Sequence, residues 1–181
     1  MTHRRPIEQP PSPVLRAGSV RVSRRLKASP ERVFDAWLDP EQATRFLFAC
    51  RTGDAVGCEI DVRVGGTFRI VRRGDREAVE YCGEYLEIDR PHRLVFSLFV
   101  QRYAQRDDRV VVELASVDEE TLLVLSHEHS LPSQTERIRI QGLWGTTLDE
   151  LQASCRDSVA RMTVPCFKAP VFACCDADLA W

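Results

Sequence analysis

The sequence lacks what most recognisable chemistries need. It has no Gly-x-Ser-x-Gly, no phosphate-binding glycine loop ending in Gly-Lys, no dinucleotide fingerprint behind a strand and no His-Glu-x-x-His. No nucleophile–base pair, nucleotide cradle or zinc helix is therefore marked by spacing, and nothing in the sequence requires catalysis. No run of about eighteen apolar residues occurs, so no membrane-spanning helix is expected. Seven cysteines are present (Cys50, Cys58, Cys82, Cys155, Cys166, Cys174 and Cys175), but none stands in a Cys-x-x-Cys pair or at Cys/His zinc spacing. They read as small buried hydrophobes, with only Cys174-Cys175 placed to oxidise. An excess of one charge is also missing: 25 Lys and Arg face 27 Asp and Glu, a net charge of −2. That gives no global attraction to nucleic acid or to an anionic membrane. Arg4-Arg5 is followed by a polar, Pro-rich run from Ile7 to Pro13 instead of an apolar stretch, so no export signal reads there and a cytoplasmic location is expected.

What is present is an ordinary globular composition of 181 residues, 44% hydrophobic and 29% charged, enough for one domain with a sizeable core. Residues 1–18 hold four prolines and several arginines and read as a flexible leader. Val20, Val22 and Leu26 alternate with Arg21 and Arg25, the period of a half-buried strand over 19–28. Ser29 stands as an N-cap before Pro30, and Val33, Phe34, Trp37 and Leu38 follow at helical spacing. Pro40 ends that helix and starts a second short one to about Leu47. Six strands are expected next, at 57–64, 66–73, 78–88, 93–103, 109–117 and 120–129. Turns fall at Gly65-Gly66, at 73–76, at Asp89-Arg90-Pro91 and at Asp118-Glu119-Glu120, with a polar loop at 101–108. Ser133 and Glu136 have capping-box spacing, and Ile138, Ile140, Leu143, Trp144, Leu148 and Leu151 trace an apolar stripe, so a long helix is expected over 134–155. Residues 155–181 read as an extension in which Val164, Phe167, Val171 and Phe172 could pack on an apolar surface.

Three segments are distinctive in that order: Ser29-Pro30-Glu31-Arg32-Val33-Phe34-Asp35-Ala36-Trp37, Gly65-Gly66-Thr67-Phe68-Arg69, and the strand–turn–strand from Cys82 to Phe96. Together they resemble the SRPBCC (START-like) superfamily, in the branch similar to the C-terminal domain of the Hsp90 ATPase activator Aha1, over residues 19–154. The match runs through Pro30, Val33, Phe34, Ala36 and Trp37, then Gly65, Gly66 and Phe68. It continues through Gly83, Glu87, Ile88, Pro91, Arg93, Leu94 and Phe96, then His127, and closes on Trp144, Leu148 and Leu151. The resemblance implies an α+β helix-grip fold. A seven-stranded antiparallel sheet would wrap around a long C-terminal helix, and two short helices after the first strand would shape the mouth of a cavity. The sequence departs from the family at Leu143, where many relatives have glycine, and at Phe46-Leu47-Phe48, where a Trp-Trp pair is common. Both departures alter the lining of the cavity.

The function this implies is a binding module for a small apolar or amphipathic ligand, with Trp37, Phe46, Phe48, Phe68, Tyr85, Phe96, His127 and Trp144 as candidate contacts and no cofactor. Two other readings stay open. Relatives similar to polyketide cyclases and aromatases use such a cavity for proton transfer or dehydration. That needs an inward acid or base, for which Glu80, Glu84 and His127 are the weak catalytic candidates. An Hsp90-related co-chaperone is the third reading. The chain carries no counterpart of the separate N-terminal domain with which that activator engages Hsp90, so a full activator role is not expected. His127-Glu128-His129 places two imidazoles on one strand face about 7 Å apart at Cα. They could ligate a divalent metal given a third ligand, anchor a ligand at the cavity rim, or simply end a strand; no third ligand is marked by spacing. Arg63, Arg69, Arg72 and Arg73 could hold an anionic head group or form a solvated edge. Finally, the segments 94–100, 110–112 and 122–125 are apolar at every position or nearly so. The outer sheet face should then expose Val95, Phe99, Val111 and Leu123 or their opposite-parity neighbours, which a second copy of the chain could cover as a homodimer.

Overall fold

The computed structural model of the protein describes residues 19–48, 55–73, 77–100, 108–129 and 133–162. The leader, the turn centred on 74–76, the loop 101–107, the tail from 163 and Cys50, Cys166, Cys174 and Cys175 lie outside the described residues. In chain order the elements are β1 (Val20–Leu26), α1 (Pro30–Leu38), α2 (Pro40–Phe46), β2 (Ala55–Ile60), β3 (Thr67–Arg72), β4 (Val79–Asp89), β5 (Arg93–Val100), β6 (Asp108–Val117), β7 (Glu120–Glu128) and α3 (Gln134–Met162). The strands form one antiparallel sheet in the order β1-β7-β6-β5-β4-β3-β2. β2 to β7 meander, and β1 joins beside β7. α3 is tied to that edge by the Arg24–Asp149 ion pair at 2.8 Å and by Gln152 Nε2 donating to the Arg25 carbonyl at 2.9 Å.

Local chemistry sets the helix starts. Ser29 Oγ accepts from the Arg32 N–H at 3.4 Å, and Pro30 opens α1. Asp39 serves two helices. Its own N–H donates to the Asp35 carbonyl at the end of α1, and its carboxylate accepts from the Glu41 and Gln42 N–H groups at 2.8 and 3.2 Å to start α2. At α3, Ser133 Oγ accepts from the Glu136 N–H at 3.2 Å while Glu136 Oε2 accepts from the Ser133 N–H at 2.9 Å, a closed capping box. α3 then runs to Met162, past the expected end at 155.

β2 stops at Ile60, four residues earlier than the alternation of Val62 and Val64 suggests. The chain turns instead: Asp61 N–H donates to the Thr67 carbonyl at 2.9 Å, and Gly66 N–H donates to the Arg63 carbonyl at 2.8 Å. Gly65 sits at φ 79°, and a Cβ on Gly66 would lie 2.2 Å from the Asp61 carbonyl oxygen, so both glycines are required by the turn.

Side-chain parity separates the faces. Tyr81, Gly83 and Tyr85 of β4 and Leu94, Phe96 and Leu98 of β5 point into the core beneath α1 and α3. Val95, Phe99 and Val111 are on the outer face, but Leu123 is not: it is fully buried in the core, and Leu122 and Val124 take the outward positions. The outward patch is also narrower than the sequence suggests. Val95 and Val111 pair across β5 and β6 and are 0% and 4% exposed, leaving Phe99 at 40% and Leu86 at 44%. Arg93, one step along the same face, bridges Glu87 at 3.2 Å and Glu113 at 2.6 Å, so charged groups occupy much of what a second subunit would meet.

Candidate functional site

The concave side of β2 to β5 meets α1 and the end of α2 at a small, partly open space of about 10 Å³, room for about one water molecule. Nine side chains line it: Trp37 from α1, Leu47 and Phe48 after α2, and Ile60, Phe68, Ile70, Tyr85, Leu94 and Phe96 from the sheet. Gly83 makes this packing possible. A Cβ there would lie 2.6 Å from the Phe68 ring and 1.9 Å from the Ser97 carbonyl oxygen, so only glycine lets Phe68 lean across β4. Phe68 thereby meets Phe96 edge-on with centroids 5.5 Å apart, and lies 5.6 Å from Tyr85.

The wall made by Leu47 and Phe48 is held from the sheet. Arg72, on the inner face of β3 and only 5% exposed, donates from Nη2 to the Thr44 and Leu47 carbonyls at 2.6 Å each and from Nε to Leu47 at 3.2 Å. A buried guanidinium thus caps the negative end of α2. Phe48 follows at φ 53°, in the left-handed region, with its ring stacked on Tyr81 at 4.1 Å. The four arginines therefore form no anion site. Arg72 caps α2, Arg69 on the outer face pairs with Glu80, Arg63 pairs with Asp61 at 2.8 Å, and Arg73 is exposed.

Of the eight expected ligand contacts, Trp37, Phe48, Phe68, Tyr85 and Phe96 line the space. Phe46 supports it from behind, edge-on to Trp37 at 5.2 Å. Trp144 also stands behind, 6.5 Å from Trp37 and 5.5 Å from Phe48. His127 is engaged elsewhere: its Nδ1 accepts from the Trp144 indole N–H at 2.8 Å, and its Nε2 is 3.0 Å from Asp108 Oδ2. Because Nδ1 accepts, the neutral ring carries its proton on Nε2 and donates it to Asp108. His129 does share this face, with its Nε2 3.9 Å from the same Asp108 oxygen. Among the described residues no group of three metal-ligating side chains forms a site.

Glu80 and Glu84, left open as to face by the sequence, are both on the outer side of β4. Glu80 is paired with Arg69 and Glu84 is exposed beside Gly65. Neither reaches this space, because the inward positions of the strand belong to Tyr81, Gly83 and Tyr85. Burial pushes the thiols of Cys58, Cys82 and Cys155 above their ordinary range, so none is a primed nucleophile. Burial likewise raises the Tyr85 phenol and keeps it protonated. The eight expected contacts leave out Leu47, Ile60, Ile70 and Leu94 of the lining and Asp108 behind it, and Arg72, in sequence one of an arginine cluster, is the cap of α2. Gly83 in the middle of a strand was the one signal that marked a close approach there.

A seven-stranded antiparallel sheet gripping one long helix, with two short helices beside an apolar inner site, defines a helix-grip α+β protein. Residues 27–155 match the family described as Activator of Hsp90 ATPase homolog 1-like protein, and the chain belongs to that family. Protein CV1439 from Chromobacterium violaceum has the same fold at 24% identity, covering 76% of this chain and 96% of that one with a TM-score of 0.67. CalU16 from Micromonospora echinospora, at 24% identity, covers 80% of each chain with a TM-score of 0.59. An HSP90 activator from Plasmodium falciparum, at 25% identity, covers 76% of this chain and 96% of its own with a TM-score of 0.59. No curated protein matches the chain. Among the described residues no helix is long and apolar enough to cross a membrane.

Proposed function

We propose that this protein is a non-catalytic binding module that holds a small, mostly apolar molecule between the sheet and the α1–α2 pair. The lining carries the reading. Seven of its nine side chains are pure hydrocarbon, the other two are Trp37 and Tyr85, and no carboxylate, imidazole or thiol is among them. Apolar walls with a few polar anchors are how small-molecule sites are built, and among the described residues this lining has no acid or base for proton transfer. At about 10 Å³ the space is too small for a ligand as it stands, so a ligand enters by displacing side chains. Phe48 is suited to that movement: a non-glycine residue at φ 53° stores on the order of 1–3 kcal/mol, which its displacement would release.

Native mass spectrometry of protein purified without denaturant should show retained ligand mass. Thermal-shift screening with fatty acids, aromatic polyketides and steroids should find a class that raises Tm by roughly 5–10 °C at about a hundred times Kd. No retained mass and no shift in any class would sink the reading. Turnover that disappears in His127→Ala would replace it with the cyclase-like alternative. The family match and the P. falciparum structure favour a second reading, a chaperone partner. Titration against an Hsp90-type chaperone, with its ATPase rate followed, tests that directly.

A further inference from the structure

We infer that the inner site selects molecules bearing a hydrogen-bond acceptor oxygen, such as an aryl ketone or quinone carbonyl, and that the Trp37 indole N–H is the group that reads it. This rests on the binding reading above and specifies its ligand class. Trp37 is 2% exposed and lines the site, and its Nε1 has no hydrogen-bond partner among the described residues. An indole nitrogen can only donate, so what completes it must be an acceptor. Leaving such a buried donor unmade is costly, and native structures seldom do so without a reason.

The other buried indole in the site's surroundings shows the contrast. Trp144 Nε1 is given an acceptor by the fold itself, His127 Nδ1 at 2.8 Å. Trp37 is not, and its ring is hemmed by Phe46 at 5.2 Å, Phe96 at 6.3 Å and Trp144 at 6.5 Å. None of those neighbours offers Trp37 an acceptor: two are hydrocarbon rings, and the third is itself an indole. A guest that enters the site without supplying an acceptor leaves that donor unmade. Tyr85, the only other polar side chain in the lining, keeps its phenolic proton and adds a second donor. The polar character of the lining is therefore donor-rich, and it favours a carbonyl-bearing ring system over the matching hydrocarbon.

The probes are 1-indanone and indane, which share a ring skeleton and differ by C=O against CH₂. Calorimetric titration of the full chain should show 1-indanone binding about 5- to 20-fold more tightly, the span of one neutral-to-strong hydrogen bond. In Trp37→Phe that preference should fall to about 1-fold, because the remaining ring cannot donate. In the unaltered protein, the ¹H–¹⁵N indole signal of Trp37 should move downfield with 1-indanone and not with indane, a readout that stands even if Trp37→Phe fails to fold. If neither probe binds, this inference fails, while the binding reading is decided separately by the retained-mass and thermal-shift tests above. If both bind equally, if the preference survives Trp37→Phe, or if the indole signal ignores 1-indanone, the acceptor inference is overturned while the binding reading stands.

Discussion

Trp144→Phe tests the packing of α3 on the sheet more sharply than truncation to alanine, because it keeps an aromatic ring and removes one donor. Trp144 is fully buried and donates to His127 Nδ1 at 2.8 Å, and His127 in turn is 3.0 Å from Asp108. Phenylalanine leaves Nδ1 without its donor in a site where His127 is 3% exposed, at a cost of about 1–3 kcal/mol for the orphaned group. The smaller ring also leaves a gap of some tens of Å³, worth roughly 1 kcal/mol at about 24 cal/mol per Å³. The sum is about 2–4 kcal/mol, which for a domain of this size lowers Tm by roughly 5–15 °C. Trp144→Ala should cost at least about 3–5 kcal/mol, as other large-to-alanine core changes do. Urea denaturation followed by far-UV circular dichroism gives the values. A double-mutant cycle with His127→Ala should yield a coupling of about 1–2 kcal/mol, since the two residues touch. A loss below about 0.5 kcal/mol for Trp144→Phe, or no coupling, would mean that the indole–imidazole bond does not hold α3 in place.

Asp39→Ala should cost about 1 kcal/mol at pH 7 by removing the cap of α2. The Asp39 carboxyl is held below its usual range by hydrogen bonds from Gln42 and Glu41, so its contribution is full above the unfolded carboxylate pKa near 4 and fades as pH falls through the lower folded value. Urea midpoints of variant and parent should converge in that acid range, and a gap that persists there would refute the cap. Gly83→Ala should prevent soluble expression or cost more than about 3 kcal/mol, because its Cβ meets the Ser97 carbonyl oxygen at 1.9 Å. Gly142→Ala meets nothing within 4 Å and should stabilise α3 by about 0.5–1 kcal/mol; thermal melts that do not separate the two would contradict the assigned geometry. We propose that any self-association uses the outer face around Phe99. Phe99→Asp should then abolish a concentration-dependent rise in mass by light scattering while leaving the melt unchanged, and a rise that persists would place the interface elsewhere.

The parts of the fold that were legible in the sequence have local causes. α1 was readable because Ser29, Pro30 and the Val33-Phe34-Trp37 stripe set its start and its buried face within nine residues. The β4–β5 hairpin was readable because Asp89-Arg90-Pro91 interrupts two apolar runs. The end of β2 was not, since Val62 and Val64 keep a strand's alternation while standing 51% and 60% exposed on a turn. Alternation reports a strand only when one face is buried. Leu123 failed for a related reason: a run apolar on both faces gives no parity, and its inward position follows from its pairing opposite Leu114 and Arg24.

Roles that depend on distant partners were illegible in kind. His127 was located by its place at the end of the last strand, but what it does is decided by Trp144, 17 residues later, and by Asp108, 19 residues earlier. Arg72 looked like one of four surface arginines until α2 was found to end beneath it. For Glu80 and Glu84 the sequence held more than it was made to yield. Tyr81-x-Gly83-x-Tyr85 puts two aromatic rings and a glycine on one strand face, and a strand glycine flanked so is where another ring crosses. That face is the packed one, so the carboxylates on the alternate positions have only the outer side left. The Trp37 donor is the opposite case. No pattern in a sequence can show that a buried N–H lacks a partner, because the statement concerns every acceptor around it at once, and the selectivity proposed for the inner site rests on the absence of such a partner among the described residues.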